Sequence, residues 1–151
     1  MNVTKMPLAA LKKPERNVRI HTEKQLREYE RSITMFGQIR PLVVDETNTI
    51  LAGVGCYETL LRMGREEADV YLIENLTSNQ KKKLMIADNK LSGLGIDDMD
   101  TFNAFLDDLR EDLDIPGFLA EHGGRGRGRE RENLYLWSYR RGRDRQHPGG
   151  R

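Results

Sequence analysis

Cysteine is almost missing from this chain, since Cys56 is the single one among 151 residues. A lone thiol cannot form an internal disulfide, and a zinc site made of several cysteines is excluded. The chain also lacks an apolar run of the roughly 20 residues that a membrane span needs. Residues 1–13 hold no apolar core long enough for a secretory signal. These absences predict a cytoplasmic protein that makes no use of a membrane.

Charge is unevenly distributed along the sequence, although the net charge is only +1. Residues 123–151 hold nine arginines and three acidic residues, which leaves a net charge of −5 on residues 1–122. After Ala120 the run G-G-R-G-R-G-R-E-R-E has no apolar period, which is typical of disorder. We therefore expect one domain over residues 1–118 and a basic, Arg/Gly-rich tail over residues 119–151.

The basic tail supports two interpretations. Arginines neutralise phosphates and aromatic rings stack on unpaired bases, so the aromatic island at residues 134–139 suggests a DNA-binding segment. Its candidate contacts are Arg125, Arg127, Arg129, Arg140 and Arg141. The abrupt break in composition favours the other interpretation, in which the tail is a solvated, disordered or non-native C-terminus.

The body has the pattern of an α+β domain. Thr22-x-x-Gln25 and Thr77-x-x-Gln80 are capping-box patterns that open helices. Strands are predicted at residues 3–11, 42–44, 50–52 and 68–73, the middle two forming a hairpin. The expected order is strand, helix, hairpin, helix, strand, helix, helix. This order predicts a small mixed sheet with packed helices.

The last predicted helix begins at Asp97 or Asp98 and carries an apolar stripe from Phe102 to Leu113. We expect this stripe to be part of the core or the face of a homodimer. The acidic group of Asp97, Asp98 and Asp100 is a weak candidate metal site. Capping and the helix dipole explain acids at a helix start without a metal.

Residues 50–64, I-L-A-G-V-G-C-Y-E-T-L-L-R-M-G, run from a strand through Gly53 and Gly55 into a short helix. Such a junction aims free backbone N–H groups at one point, at the positive end of the helix dipole. The pattern therefore predicts an anion or phosphate pocket. A tight strand-to-helix turn with no ligand needs the same glycines, and this alternative stays open.

Three segments, taken in order, resemble one family. N-V-R-I-H and the helix ending in S-I-T-M-F-G-Q-I-R-P-L-V-V are similar to its N-P-R-x-H, S-I-x-x-x-G and P-(I/L)-x-V patterns. A-G-V-G-C-Y and I-A-D-N-K match its glycine loop and its (E/D)-N segment. Residues 1–118 thus resemble the N-terminal domain of ParB-type partition proteins, in a superfamily that includes sulfiredoxin and the ParB-like nuclease-domain proteins of phages and plasmids. The resemblance implies a ParB/sulfiredoxin-like fold.

The resemblance also implies a site for a nucleoside triphosphate with Mg²⁺. Its nucleotide and phosphate contacts would be Arg19, His21, Gly53, Val54, Gly55, Cys56 and Asn89. Asp88 and Asn89 would be the metal ligands, since Mg²⁺ prefers oxygen ligands and shares phosphate oxygens. Asp88 would be the catalytic residue if the chain is an enzyme.

The glycine loop departs from the family pattern at Cys56. Relatives usually have A-G-E-R-R or A-G-H-G-R there, so the permanently charged phosphate contact is missing. We expect triphosphate binding to be weak unless Arg16, Arg19, Arg40 or Arg62 compensates. Cys56 itself is interpreted as structural filler, with a thiol activated by the helix N-terminus as the alternative.

Three functions follow from these expectations. The first is a ParB-like DNA-associated protein of plasmid, phage or other mobile-element origin, acting in partition, regulation or support of DNA modification through its phosphate-binding groove. The second is a Mg²⁺-dependent nuclease or phosphotransferase that uses Asp88. The third is a degenerate domain that serves only for protein–protein contact.

Overall fold

The computed structural model describes residues 2–95, 98–109, 112 and 114–118. The chain divides into two compact units, one up to Gly95 and one from Ile96 onwards. The first unit contains β1 (Val3–Pro7), a 3₁₀ turn (Leu8–Ala10), α1 (Glu23–Phe36), β2 (Leu42–Val44), β3 (Ile50–Ala52), α2 (Val54–Arg62), β4 (Glu67–Leu72) and α3 (Ser78–Ser92). The second unit contains α4 (Met99–Asp108). The predicted order of elements and the α+β class are confirmed.

The four strands form one mixed sheet in the order β1-β4-β2-β3. The central strand β4 is antiparallel to β1 and parallel to β2, with Leu42 opposite Val70. The hairpin of β2 and β3 completes the sheet, and its register shifts between Val43 and Val44. This topology places the start of β2 and the end of β3 at the same side of the sheet, since antiparallel partners run in opposite directions.

The core of the first unit lies where α1 and α2 meet the sheet and each other. Its members come from both helices, from β2, β3 and β4, and from the 3₁₀ turn after β1 and the residue that follows it. Fully buried aliphatic side chains of this kind each contribute about 1.5–3 kcal/mol relative to exposure. The buried cluster consists of Leu8, Leu11, Ile33, Leu42, Val44, Ile50, Val54, Tyr57, Leu60, Ala68 and Val70.

The turn between β2 and β3 is closed by Asp45, whose side chain is buried. Its Oδ1 accepts hydrogen bonds from the backbone N–H groups of Thr47 and Thr49 and from the Thr47 hydroxyl. Its Oδ2 accepts one from Lys81 on α3 at 2.9 Å. Burial alone would raise the pKa of Asp45, but these hydrogen bonds lower it to about 2. The ion pair therefore fastens α3 to the sheet.

Helix α3 depends on this attachment and on its cap, because none of its side chains is buried. The predicted capping box is complete, with Thr77 and Gln80 each bonding the other's backbone N–H. In α1, only one of the two hydrogen bonds of the predicted capping box is formed. Thr22 accepts from the Gln25 N–H, but the Gln25 side chain bonds His21 instead of the Thr22 backbone.

In the second unit, α4 is capped by Asp98, one of the two predicted caps. The Asp98 side chain accepts hydrogen bonds from the backbone N–H groups of Asp100 and Thr101. The helix ends at Asp108, earlier than the predicted stripe, and Leu113 lies outside the described residues. Leu106 is buried, whereas Phe105 remains 64% exposed. The homodimer through these helices stays a prediction. None of the helices in the described part of the chain is long and apolar enough to span a bilayer.

Candidate functional site

A groove of about 530 Å³ in the first unit brings the three predicted segments together. Its walls are residues 17–21, the end of α1 with the loop into β2, the glycine loop and the last turns of α3. The predicted nucleotide and metal residues all line it, namely Arg19, His21, Gly53, Val54, Gly55, Cys56, Asp88 and Asn89. Residues separated by up to 70 positions thus share one surface, while their roles in binding stay predictions.

The first wall is the segment of residues 17–21, in which residues that line the groove alternate with exposed ones. Asn17, Arg19 and His21 line the groove. Between them, Val18 is 54% exposed and Ile20 is 90% exposed. The N-V-R-I-H pattern therefore presents its polar side chains on one side.

The two glycines of the loop are both required by the protein's own packing. Gly53 has φ +98°, and a Cβ there would lie 2.7 Å from Cδ2 of the buried Leu42. Gly55 is buried under the imidazole of His21, whose Cε1 would lie 2.7 Å from a Cβ at that position. The turn therefore needs these glycines whether or not a ligand binds, as the ligand-free alternative expected.

The N-terminus of α2 is uncapped. No side chain bonds its first turn, and the N–H groups of Val54, Gly55 and Cys56 have no acceptor among the described residues. The other three α-helices of the described residues are capped by Thr22, Thr77 and Asp98. The side chain of each cap accepts a hydrogen bond from a backbone N–H of the first turn. These N–H groups are available to water or to an anion.

Cys56 lines the groove and also packs against the core. Burial raises the pKa of its thiol to about 11. Burial disfavours the charged thiolate, which argues against a thiol activated by the helix N-terminus. The interpretation of Cys56 as filler agrees with its contacts.

The acid and amide of the third segment differ in their surroundings. Asp88 is exposed, with its backbone C=O accepting from Ser92. Asn89 Nδ2 donates to the Met85 carbonyl at 2.9 Å, which directs the amide along its own helix. Within the described ranges, no three His, Cys, Asp or Glu side chains converge to hold a metal ion. One carboxylate and one amide oxygen fit Mg²⁺ only when phosphate oxygens supply further ligands.

Two of the four candidate arginines lie in the groove. Arg19 and Arg40 line it, and neither has a carboxylate partner among the residues that the structure describes. Arg62 pairs with Glu23 at 3.2 Å, and Arg16 does not line the groove. Of the four arginines expected to compensate for the missing charge at Cys56, Arg19 and Arg40 are therefore the two that lie in the groove.

Sequence reasoning did not single out every groove residue. Tyr29, Gln38 and Tyr71 also line it. Gln38 had a visible signal, since it stands between the glycine that ends α1 and the proline before β2. The five tail arginines predicted to contact DNA, Arg125, Arg127, Arg129, Arg140 and Arg141, lie outside the described residues.

Comparison with known proteins supports the resemblance, although no family model matches the chain. The chain is 28% identical over 83 residues to the ParB-like nuclease domain-containing protein YnaK of Escherichia coli K12, covering 55% of this chain and 95% of YnaK. Its fold is similar to Caulobacter crescentus ParB complexed with CTP-γ-S, with a TM-score of 0.63, 18% identity and 75% of this chain covered. A Pnob8-like ParB N domain gives a TM-score of 0.52 at 15% identity over 69% of this chain.

The chain therefore has the fold of ParB N-terminal domains, and its sequence is similar to that of a ParB-like nuclease domain-containing protein. Both findings confirm the resemblance drawn from its three motifs. It spans 65% and 42% of the length of the two solved ParB chains.

Proposed function

We propose that the groove binds the phosphates of a nucleoside triphosphate together with Mg²⁺. We further propose that the chain is a DNA-associated protein of a plasmid, phage or other mobile element, acting in partition, regulation or support of DNA modification. The observation that carries the proposal is the convergence of Arg19, the uncapped start of α2 and Asp88 on one groove.

The electrostatics of the groove suit a polyanion bound beside a cation. Three free N–H groups at the helix N-terminus and the guanidinium groups of Arg19 and Arg40 are donors for phosphate oxygens. Asp88, with the Asn89 amide oxygen, would hold Mg²⁺ against the same phosphates, and the ion would neutralise part of their charge. The relatives support this class of ligand, because the Caulobacter ParB is a CTP-γ-S complex of a chromosome-partitioning protein.

Thermal shift with CTP, ATP and ADP in the presence of Mg²⁺ tests the binding proposal. A ligand at 100 times its Kd adds about 2.7 kcal/mol to the folded state. For a domain of this size that raises Tm on the order of 10 °C. Arg19→Ala should reduce the shift, whereas Arg65→Ala, at the opposite end of α2 and outside the groove, should not. If no nucleotide raises Tm, the proposal fails and the protein-contact alternative remains.

DNA association is tested with the full chain by measuring Kd against salt concentration. Binding through phosphates should weaken as salt rises, with a log–log slope of about −0.9 per neutralised phosphate. Replacing Arg140 and Arg141 by alanine should make the slope shallower if the tail contributes. Absence of binding at low salt, or an affinity that salt does not change, would overturn this part of the proposal.

A second candidate is a Mg²⁺-dependent nuclease or phosphotransferase. Two observations favour it, namely the exposed Asp88 carboxylate in the groove and the description of YnaK as a ParB-like nuclease domain-containing protein. An acid at this position would orient the attacking water or hydroxyl. Asp88→Asn should abolish metal-dependent turnover of DNA, and Asp108→Asn at the exposed end of α4 is the control. Turnover that survives Asp88→Asn would exclude this candidate.

A further inference from the structure

The loop between α1 and β2 is fixed by the side chain of Gln38. Gly37 ends α1 with φ +76°, and its N–H donates to the Ile33 carbonyl. The Gln38 side-chain amide then donates through Nε2 to the carbonyl oxygens of Arg40 and Asp69, each at 2.9 Å. Its Oε1 accepts from the Asp69 N–H at 2.8 Å. All the hydrogen-bonding groups of this amide are therefore used to hold the loop against β4.

The sheet register explains why a side chain is needed there. Leu42 of β2 lies opposite Val70 of β4, and the Val44 carbonyl accepts from the Ile73 N–H, so alternate residues of β2 bond β4. One step before Leu42, the Arg40 carbonyl would be the ladder acceptor for the Asp69 N–H, but it accepts from Gln38 Nε2 instead. The Gln38 amide, which carries one acceptor oxygen and two N–H donors, bonds the Asp69 backbone in place of a strand residue. The loop is thereby hydrogen-bonded to β4, although it is not a strand.

Arg40 is the residue that this arrangement presents. Its carbonyl is held by Gln38, and the exposed Arg40 lines the groove and has no carboxylate partner among the residues the structure describes. Cys56, which is half-buried, lines the same groove from the start of α2. It stands where the family pattern has a charged side chain. A guanidinium on a pinned backbone loses less freedom on binding than one on a free loop.

We infer that Arg40, positioned by Gln38, is a phosphate-binding residue that replaces the cationic contact missing at Cys56. The inference rests on the proposed nucleotide site and adds to it a residue that the family motifs do not include. Arg40 touches the ligand, and Gln38 acts only through Arg40. Arg19 contributes from the opposite segment, so the two guanidinium groups would grip the phosphates from different walls.

Titration calorimetry of the full chain with CTP and with ATP, both with Mg²⁺, tests the role of Arg40. Arg40→Ala should raise Kd about 10- to 100-fold, as expected for a lost charged hydrogen bond. Arg40→Lys should recover part of the affinity, because it keeps the charge without the planar fork. The dependence of Kd on salt should become shallower in Arg40→Ala, which a purely structural role would not cause. Arg65→Ala is the matched control.

A double-mutant cycle tests the role of Gln38. Gln38→Ala should raise Kd about 3- to 10-fold in the wild-type background and leave it unchanged when Arg40 is already alanine. An equal effect in both backgrounds would refute the positioning role. If the wild-type chain binds a triphosphate and Arg40→Ala binds it equally well, this inference fails while the proposed function stands. If the wild-type chain binds neither nucleotide, both fail.

Discussion

Gly53 offers the sharpest test of the packing around the groove. Both Gly53 and Gly64 flank α2 with left-handed backbones, at φ +98° and +69° respectively. A Cβ at Gly53 would lie 2.7 Å from Leu42 Cδ2 and 3.5 Å from Leu42 Cα, whereas a Cβ at Gly64 would meet nothing within 4 Å. The two alanine variants therefore share the backbone strain and differ in the steric overlap.

The expected losses follow from these distances. A left-handed conformation costs an L-residue about 1–2 kcal/mol, which is the whole effect expected for Gly64→Ala. Leu42 is 1% exposed and held in the core, so the overlap at Gly53 cannot be relieved by rotation into solvent. Displacing a packed core side chain costs about 1–3 kcal/mol more. We therefore expect Gly53→Ala to lower the free energy of unfolding by about 2–5 kcal/mol.

Urea denaturation of the two variants measures the difference. A third variant, Leu42→Val, removes the Cδ methyl groups and should cost less in the Gly53→Ala background than in the wild type. Equal losses at the two glycines would refute the steric explanation, as would additive effects of Gly53→Ala and Leu42→Val. A change in the m-value would mean that the native or denatured state itself had changed.

Three further outcomes are expected. Because the pKa of Asp45 is about 2 when folded and near 3.8 when unfolded, its charge stabilises the protein above pH 4. About 2 kcal/mol should be lost as the pH falls from 4 to 2, and Asp45→Asn should flatten this part of the stability profile. Burial raises the pKa of Cys56 to about 11, so iodoacetamide at pH 8 should label the native thiol far more slowly than the urea-unfolded one; equal rates would contradict the geometry. The change in the free energy of unfolding caused by Gly55→Ala should be about 1 kcal/mol more favourable in a His21→Ala background than in the wild type. In that background the new Cβ no longer meets the imidazole ring.

Local patterns predicted the elements of the first unit because each element ends at a chemical signal. Thr77 and Gln80 begin α3 with both bonds of the capping box, and Gly37 ends α1 at a positive φ. The apolar Leu42 and Val70 mark strands that are buried in the sheet. Signals of this kind act within a few residues, so spacing along the sequence reveals them.

The parts that failed depend on neighbours distant in sequence. The capping box at Thr22 is only half formed because the Gln25 side chain bonds His21, which lies over Gly55 from a separate element. Burial also raises the pKa of the Cys56 thiol to about 11, an effect that its position at a helix start does not reveal. Burial and side-chain competition are tertiary effects, and spacing along one segment does not contain them.

Charge, and not glycine, is the feature of the groove that favours a ligand. Gly53 and Gly55 are explained by Leu42 and His21, so their presence says nothing about an anion. What the packing leaves unexplained is cationic, namely two groove arginines without carboxylate partners in the described residues and three free N–H groups at an uncapped helix start. Uncompensated positive groups on a concave surface raise the local potential and attract anions.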